Sequence, residues 1–87
     1  MNATYDRLCA ILVQEHHLPP EWLAPDALFE KLGIDSLAMV ELLWNVEEAF
    51  AIKVPTQPPP LPTVRDVVHW IDQLSAAQGA TPRLRAA

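Results

Sequence analysis

Apolar residues recur at helical spacing in three stretches of the chain, and prolines fill the gaps between them. Leu8, Ile11 and Leu12, with Tyr5 one turn earlier, lie on a single stripe. This predicts a first helix from about Ala3 to His17, with Asn2 or Thr4 as the capping candidate. Pro19 and Pro20 end it, because proline lacks the donor that the next turn requires and restricts the residue before it. Leu18 to Asp35 then reads as a long connection that includes Pro25 and Gly33. Loops of this length are uncommon in compact domains and are often functional. Trp22, Leu23, Leu28, Phe29, Leu32 and Ile34 are spread through it and are expected to pin it to the helices. Asp26 to Leu32 is the candidate for a short helical turn.

The second helix is predicted from Ser36 to about Phe50. No Gly or Pro interrupts this stretch, and Leu, Ala, Met and Glu dominate it. Asp35 or Ser36 suits its N-cap. Two apolar stripes run along it. Met39, Leu42, Leu43, Val46 and Phe50 share one sector and predict a core face. Leu37, Val40 and Trp44 share another, turned by roughly 120° about the axis, and Glu41, Glu47 and Glu48 flank it. Two readings of this second stripe stand open on the pattern alone. In a small bundle a helix can touch two neighbours and bury both stripes, or a stripe fringed by carboxylates can be a docking surface.

Val54 to Thr63 contains Pro55, Pro58, Pro59, Pro60 and Pro62. Consecutive prolines favour an extended polyproline conformation, here read as a stiff connector more than as an SH3-type ligand. The last helix is predicted to begin near Thr63, an N-cap with Asp66 three residues on in place of the Glu of a capping box. Val64, Val67, Val68, Ile71 and Leu74 give its core stripe. It fades near Ala77 to Gly79, where Gly79 suits a C-terminal stop. There is no internal repeat, and nothing reads as a strand of any length. The pattern describes an all-α protein, a small three- to four-helix bundle over residues 1–79, with a loose tail over 80–87.

The 87 residues suit one domain with a thin core and little room for a deep active-site cavity. The net charge of −5 is concentrated: Glu21, Asp26, Glu30, Asp35, Glu41, Glu47 and Glu48 face a single base, Lys31, in that stretch. Such a surface repels nucleic acid and anionic membrane and steers basic partner surfaces toward it, although an acidic pI first of all favours solubility. The one cysteine, Cys9, allows no internal disulfide and reads as a small buried hydrophobe. No secretory leader is apparent and no apolar run approaches the roughly 18 residues of a membrane span. A cytoplasmic protein is the expectation.

Candidate catalytic groups are few. Adjacent His16 and His17 cannot share a helix face, and His69 stands alone, so surface or half-buried histidines are expected. One cysteine, with no HxxxH or CxxC spacing, gives none of the common zinc patterns. Ser36 has no histidine near it in sequence and no GxSxG around it, so a triad is not supported. A serine at that place is ordinarily a cap. Yet the position also opens the best-defined helix, and helix N-termini accommodate attached phosphate.

Leu32-Gly33-Ile34-Asp35-Ser36-Leu37, then Val40-Glu41-Leu42, then Glu47-Glu48-Ala49-Phe50, closely resembles the acyl carrier protein family. Val54-Pro55 and Thr63-Val64 match the Ile/Val-Pro after the family's second helix and the Thr-Val that opens its last. The resemblance covers about Leu28 to Leu74. It implies that Ser36 is the attachment point of a covalent 4'-phosphopantetheine, with Asp35 and Leu37 beside it. It also implies that the second helix recognises partners, with Leu37, Val40, Glu41, Trp44, Glu47 and Glu48 at its docking positions.

The implied role is carriage of acyl groups as thioesters, not catalysis. The implied partners are a phosphopantetheinyl transferase, an acyl-loading ligase or acyltransferase, and a ketosynthase or other acyl-processing enzymes; the chain is expected to be monomeric. Two departures stand out. The residue after Asp-Ser-Leu, often acidic in fatty-acid carriers, is Ala38. The short third helix of the family is replaced or shortened by the proline-rich segment Thr56 to Pro62, which points to a specialised carrier. The nearest alternative is an aminoacyl or peptidyl carrier, whose usual Gly-Gly before the serine is absent here. An unmodified helical interaction module and a small Ser36 hydrolase are the further alternatives.

Overall fold

The computed structural model describes residues 3–78. Three helices form over them: α1 (Ala3–His16), α2 (Ser36–Phe50) and α3 (Val64–Gln78). The helical turn of the first loop is a 3-10 turn at Pro20–Trp22, and residues 26–32 form hydrogen-bonded turns without becoming a helix. The only departure from helix and loop among the described residues is an isolated antiparallel bridge between Leu28 and Thr63. The fold is thus all-α with three helices. The Asn2 cap, the Gly79 stop and the 80–87 tail lie outside the described residues.

The core is built from one stripe of each helix. Leu8 and Leu12 of α1, Leu42 and Val46 of α2, and Val64, Val67 and Ile71 of α3 are fully buried. α1 packs against both α2 and α3. Thr4 Oγ1 donates to Asp72 Oδ1 at 2.6 Å across α1 and α3, and the Arg7 guanidinium lies 5.7 Å from the centre of the Phe50 ring across α1 and α2. Trp70, off the predicted α3 stripe, is also buried, while Leu74 is only partly so. Cys9, expected to be buried, is half-buried. Its flank of α1 faces the first loop, which covers it incompletely: the Tyr5 hydroxyl donates to the Leu23 carbonyl and the Cys9 thiol lies 4.0 Å from the same oxygen.

The first loop is held mainly by its backbone. Phe29 N–H donates to the Pro62 carbonyl at 2.9 Å, Val64 N–H to Ala27 at 3.1 Å, and Arg65 N–H to Pro25 at 2.8 Å. These bonds also serve α3, whose first donors have no partner within the helix. Thr63 and Asp66 complete that terminus: Asp66 N–H donates to Thr63 Oγ1 at 3.2 Å, while the Thr63 N–H and hydroxyl donate to Asp66 Oδ2 at 3.1 and 2.8 Å. Of the six loop side chains expected to be pins, Leu23 and Phe29 are buried and Leu32 and Ile34 pack partly against the core. Trp22 and Leu28 do not: they are 54% and 40% exposed. Backbone bonds already fix the loop, so these two side chains are not needed to hold it.

After α2 the chain turns at Ala51, whose φ of 55° is left-handed, and Ile52 N–H returns to the Glu47 carbonyl at 3.2 Å. Ile52 is buried. Lys53 is clamped to the end of α3 by two 2.8 Å bonds with the Gln78 amide, one through its N–H and one through its carbonyl. From there to Pro62 the backbone is non-helical and exposed, with Val54 and Leu61 turned partly inward. No helix among the described residues is long and apolar enough to cross a membrane.

Candidate functional site

The first loop ends in a tight return that sets the start of α2. Gly33 adopts φ +81°, a conformation L side chains rarely take. Ile34 N–H then reaches back to the Phe29 carbonyl at 3.0 Å. Asp35 follows in extended conformation as the N-cap: Oδ1 accepts from Ala38 N–H at 2.9 Å, and its carbonyl accepts from Met39 N–H at 2.8 Å. Asp35 therefore does the capping, and Ser36 becomes the first helical residue.

This division of labour bears on chemistry. The Ser36 hydroxyl is not consumed as a cap, and the residue is exposed. It borders an open hollow of about 420 Å³ lined by Glu30, Gly33, Ile34, Asp35 and Ser36. No histidine lines that hollow; its titratable groups are the carboxylates of Glu30 and Asp35, and Asp35 is engaged as the helix cap. His17 and His69 are exposed and His16 is half-buried. Among the described residues no group of three His, Cys, Asp or Glu could hold a metal. An exposed primary alcohol at a helix N-terminus suits a phosphodiester substituent, since the helix dipole favours negative charge there. The residues present thus fit a phosphopantetheine group.

Along α2 the two stripes separate cleanly. Leu42, Leu43 and Val46 are buried and Met39 and Phe50 pack partly on the core. Leu37, Val40 and Trp44 are 66%, 43% and 64% exposed. Three large apolar side chains at helical spacing form a continuous exposed ridge. Glu41 and Glu48 are exposed beside it. Glu47 differs: it is half-buried, and its Oε2 accepts from Val54 N–H at 2.7 Å. That carboxylate ties the segment after α2 back onto the helix, a role its place in the sequence did not reveal.

The tie creates a feature the sequence did not suggest. A groove of about 370 Å³ runs between α2 and the segment that follows it, with Val40, Trp44 and Glu47 on one wall and Val54, Pro55 and Pro58 on the other. Its second wall depends on tertiary hydrogen bonds, so helical periodicity could not have found it.

Residues 6–71 match the family described as "Phosphopantetheine attachment site". The chain is 34% identical to the acyl carrier protein of Campylobacter curvus over 74 residues, which span 83% of this chain and 96% of that protein. It is 36% identical to the acyl carrier protein of Thermosynechococcus vestitus over 74 residues, 83% of this chain and 91% of that one. With the acyl carrier protein of Zymomonas mobilis it shares 33% identity over 78 residues, 87% of this chain and all of that one. A three-helix bundle that matches a phosphopantetheine-attachment family over most of its length, and aligns with nearly the whole of several carriers, belongs to the acyl carrier protein family.

Proposed function

We propose that Ser36 carries the 4'-phosphopantetheine arm and that the exposed face of α2 is where partner enzymes grip the protein. The carrier role itself follows from the family. The observation that supports Ser36 is the local division of labour: Asp35 caps α2 and leaves the Ser36 hydroxyl exposed beside an open hollow.

The Ser36 hydroxyl attacks the β-phosphorus of coenzyme A, a P–O bond forms, and 3',5'-adenosine bisphosphate leaves with the displaced oxygen; the serine proton passes to a base of the transferase. The arm supplies a terminal thiol that holds acyl groups as thioesters. The chain's own residues orient and present it: Asp35 fixes the helix start, and Leu37 projects beside the serine. Val40 and Trp44 extend the apolar ridge, and Glu41 and Glu48 meet basic rims on the partner. Glu47 contributes through the position of Val54 as well as through charge. Docking of this kind, from rim charges around a small apolar patch, is weak and salt-sensitive.

The partners are a phosphopantetheinyl transferase, a ligase or acyltransferase that loads the thiol, and a ketosynthase or comparable acyl-processing enzyme. The carrier unit is residues 1–79, acting as a cytoplasmic monomer. The segment 56–62, non-helical between α2 and α3, takes the place of the family's short third helix.

The test is intact mass. Apo protein incubated with coenzyme A and a promiscuous phosphopantetheinyl transferase gains one phosphopantetheine, and Ser36→Ala gains none. No gain with several transferases, or a gain that survives Ser36→Ala, would refute the assignment.

A further inference from the structure

We propose that the groove between α2 and the proline wall is a socket for an arginine side chain of a partner enzyme, whose guanidinium stacks on Trp44 and pairs with the Glu47 carboxylate. The proposal rests on the reading of the exposed face of α2 as the docking face, and it names the residue type that anchors there.

Three observations carry it. First, the groove is rich in acceptors and short of donors. Pro55 and Pro58 have no amide hydrogen, and the Val54 N–H is already spent on Glu47 Oε2 at 2.7 Å. Thr56 is left as the donor of that wall. A bond from a neutral amide leaves the negative charge of Glu47 in place, and among the described residues no cation pairs with it. No base lines the groove, and Lys53, next to Val54 in the chain, is exposed outside it. Such a site attracts a cation.

Second, Trp44 is 64% exposed, although α2 already packs on the core through Leu42, Leu43 and Val46. The fold does not need that indole buried. A cation over an indole is held by the charge distribution of the ring, and arginine is found there more often than lysine. Pro55 and Pro58 give the other wall apolar rings, which suit the aliphatic stem of a long basic side chain.

Third, the space is limited and its proline wall is restrained. The groove holds about 370 Å³, at the small end of the roughly 300–1,000 Å³ of ligand clefts. A guanidinium is planar and weakly hydrated, whereas an ammonium keeps its water more tightly, so a narrow site with an aromatic wall favours arginine. The first loop supplies the contrast. Trp22 is also exposed, at 54%, but its hollow is lined by both Asp26 and Lys31, whose charges cancel and give a cation no net attraction.

The three tryptophans make the test direct, since Trp44 reports the groove, Trp22 reports an exposed indole elsewhere and Trp70 is buried. Full-length 15N-labelled apo protein is titrated with N-acetylarginine methylamide, and in parallel with the lysine and leucine analogues, at constant ionic strength. The expected result is saturable movement of the Trp44 indole and Val54 amide resonances, tighter with the arginine probe than with either analogue, while Trp22 and Trp70 move less. Glu47→Gln keeps an acceptor for Val54 and removes the charge, so it should weaken the arginine probe about two- to fivefold, the ordinary worth of a partly exposed ion pair. Trp44→Leu, read at the Val54 amide, should weaken it by about the same factor and abolish the preference for arginine over lysine.

Equal responses to arginine and lysine, a leucine analogue that binds as tightly, no saturable movement, or an affinity untouched by Glu47→Gln would each overturn the socket. Movement of the Trp44 resonance on dilution of the protein alone would assign the groove to a second copy and overturn it too. The docking face is judged separately, by the transferase KM of Glu41→Lys with Glu48→Lys. An unchanged KM would overturn that reading and the partner named here with it, while a raised KM with no arginine response would overturn this proposal alone.

Discussion

Replacing Glu47 by alanine should destabilise the protein, and replacing it by glutamine should not. Three effects compete at this position. The carboxylate accepts from Val54 N–H at 2.7 Å, and bonds to charged groups contribute about 1.5–3 kcal/mol. Glu47 is half-buried, so water compensates part of that loss and the lower figure applies. Against it, a carboxylate in the last turn of α2 opposes the helix dipole, worth about 0.3–1 kcal/mol. Alanine also has slightly better helix propensity than glutamate, by a few tenths of a kcal/mol at most on a scale whose ordinary span is about 0.7 kcal/mol. The hydrogen bond outweighs these two only narrowly, leaving Glu47→Ala about 0.5–1 kcal/mol less stable. Glutamine keeps an acceptor and removes the unfavourable charge, so Glu47→Gln should lie within about 0.5 kcal/mol of the parent. With an m-value of about 1 kcal/mol/M for a protein of this size, the alanine midpoint in urea falls by roughly 0.5–1 M and the glutamine midpoint hardly moves. Both variants remove the same charge, so a purely electrostatic docking role predicts equal rises in the transferase KM. Equal urea midpoints for the two variants would refute the assignment of Glu47 as the tie between α2 and Val54.

Ala51→Gly should stabilise the protein by about 0.5–1 kcal/mol, because glycine removes the left-handed strain at φ 55° and gives back only part of it in unfolded-state entropy; a urea midpoint that falls would contradict this. Leu12→Ala, at a fully buried position, should cost about 2–5 kcal/mol, much of the stability of a small domain, and is checked by thermal melting. Burial raises the Cys9 thiol and the Tyr5 hydroxyl above their ordinary values of 9.0 and 10.0. The folded state then holds protons that the unfolded state releases, so stability is full below pH 9 and declines as the pH rises through the raised values. A Tyr5→Phe, Cys9→Ala double variant should show a shallower alkaline decline in urea titrations. Glu41→Lys with Glu48→Lys, both exposed, should raise the transferase KM and flatten its dependence on salt, with a urea midpoint no lower than the parent's because the new charge at position 48 favours the helix dipole.

The helices were legible because periodicity reports them well. α2 begins and ends where its apolar repeat does, and Leu37, Val40 and Trp44 stood apart from the core sector, although the pattern alone left open whether that second stripe is buried or exposed. The Thr63–Asp66 box was readable because capping is local. What escaped was tertiary. Trp70 is buried although it lies outside the repeat that defines the α3 stripe, because it flanks that stripe one turn before Leu74. Trp22 and Leu28 were read as pins because large apolar side chains in a loop usually are, and nothing in sequence announces that Pro25, Ala27 and Phe29 fix the loop by their backbone. The choice between Asp35 and Ser36 as cap was equally hidden. It turns on one hydrogen bond to Ala38, and that bond decides whether the serine hydroxyl is left over for chemistry.

The proline-rich wall beside α2 has a consequence that lies in the unfolded chain. Pro58, Pro59, Pro60 and Pro62 have no amide hydrogen to donate, so beyond the Val54 N–H that Glu47 holds, these residues add no backbone donors to stiffen the wall. The rest of its order comes from rings that already restrict the denatured ensemble. Each such restriction contributes about 0.4–1 kcal/mol where the native conformation tolerates it, or about 2–4 kcal/mol for the four together. Stiffness of covalent origin responds little to salt, to pH or to the surface charges that govern docking. The proline side of the groove between Trp44 and Pro58 therefore keeps its shape across conditions that change how strongly a partner is attracted, while its Val54 end depends on the Glu47 carboxylate, and a partner that fits the proline side spends little free energy on ordering the chain.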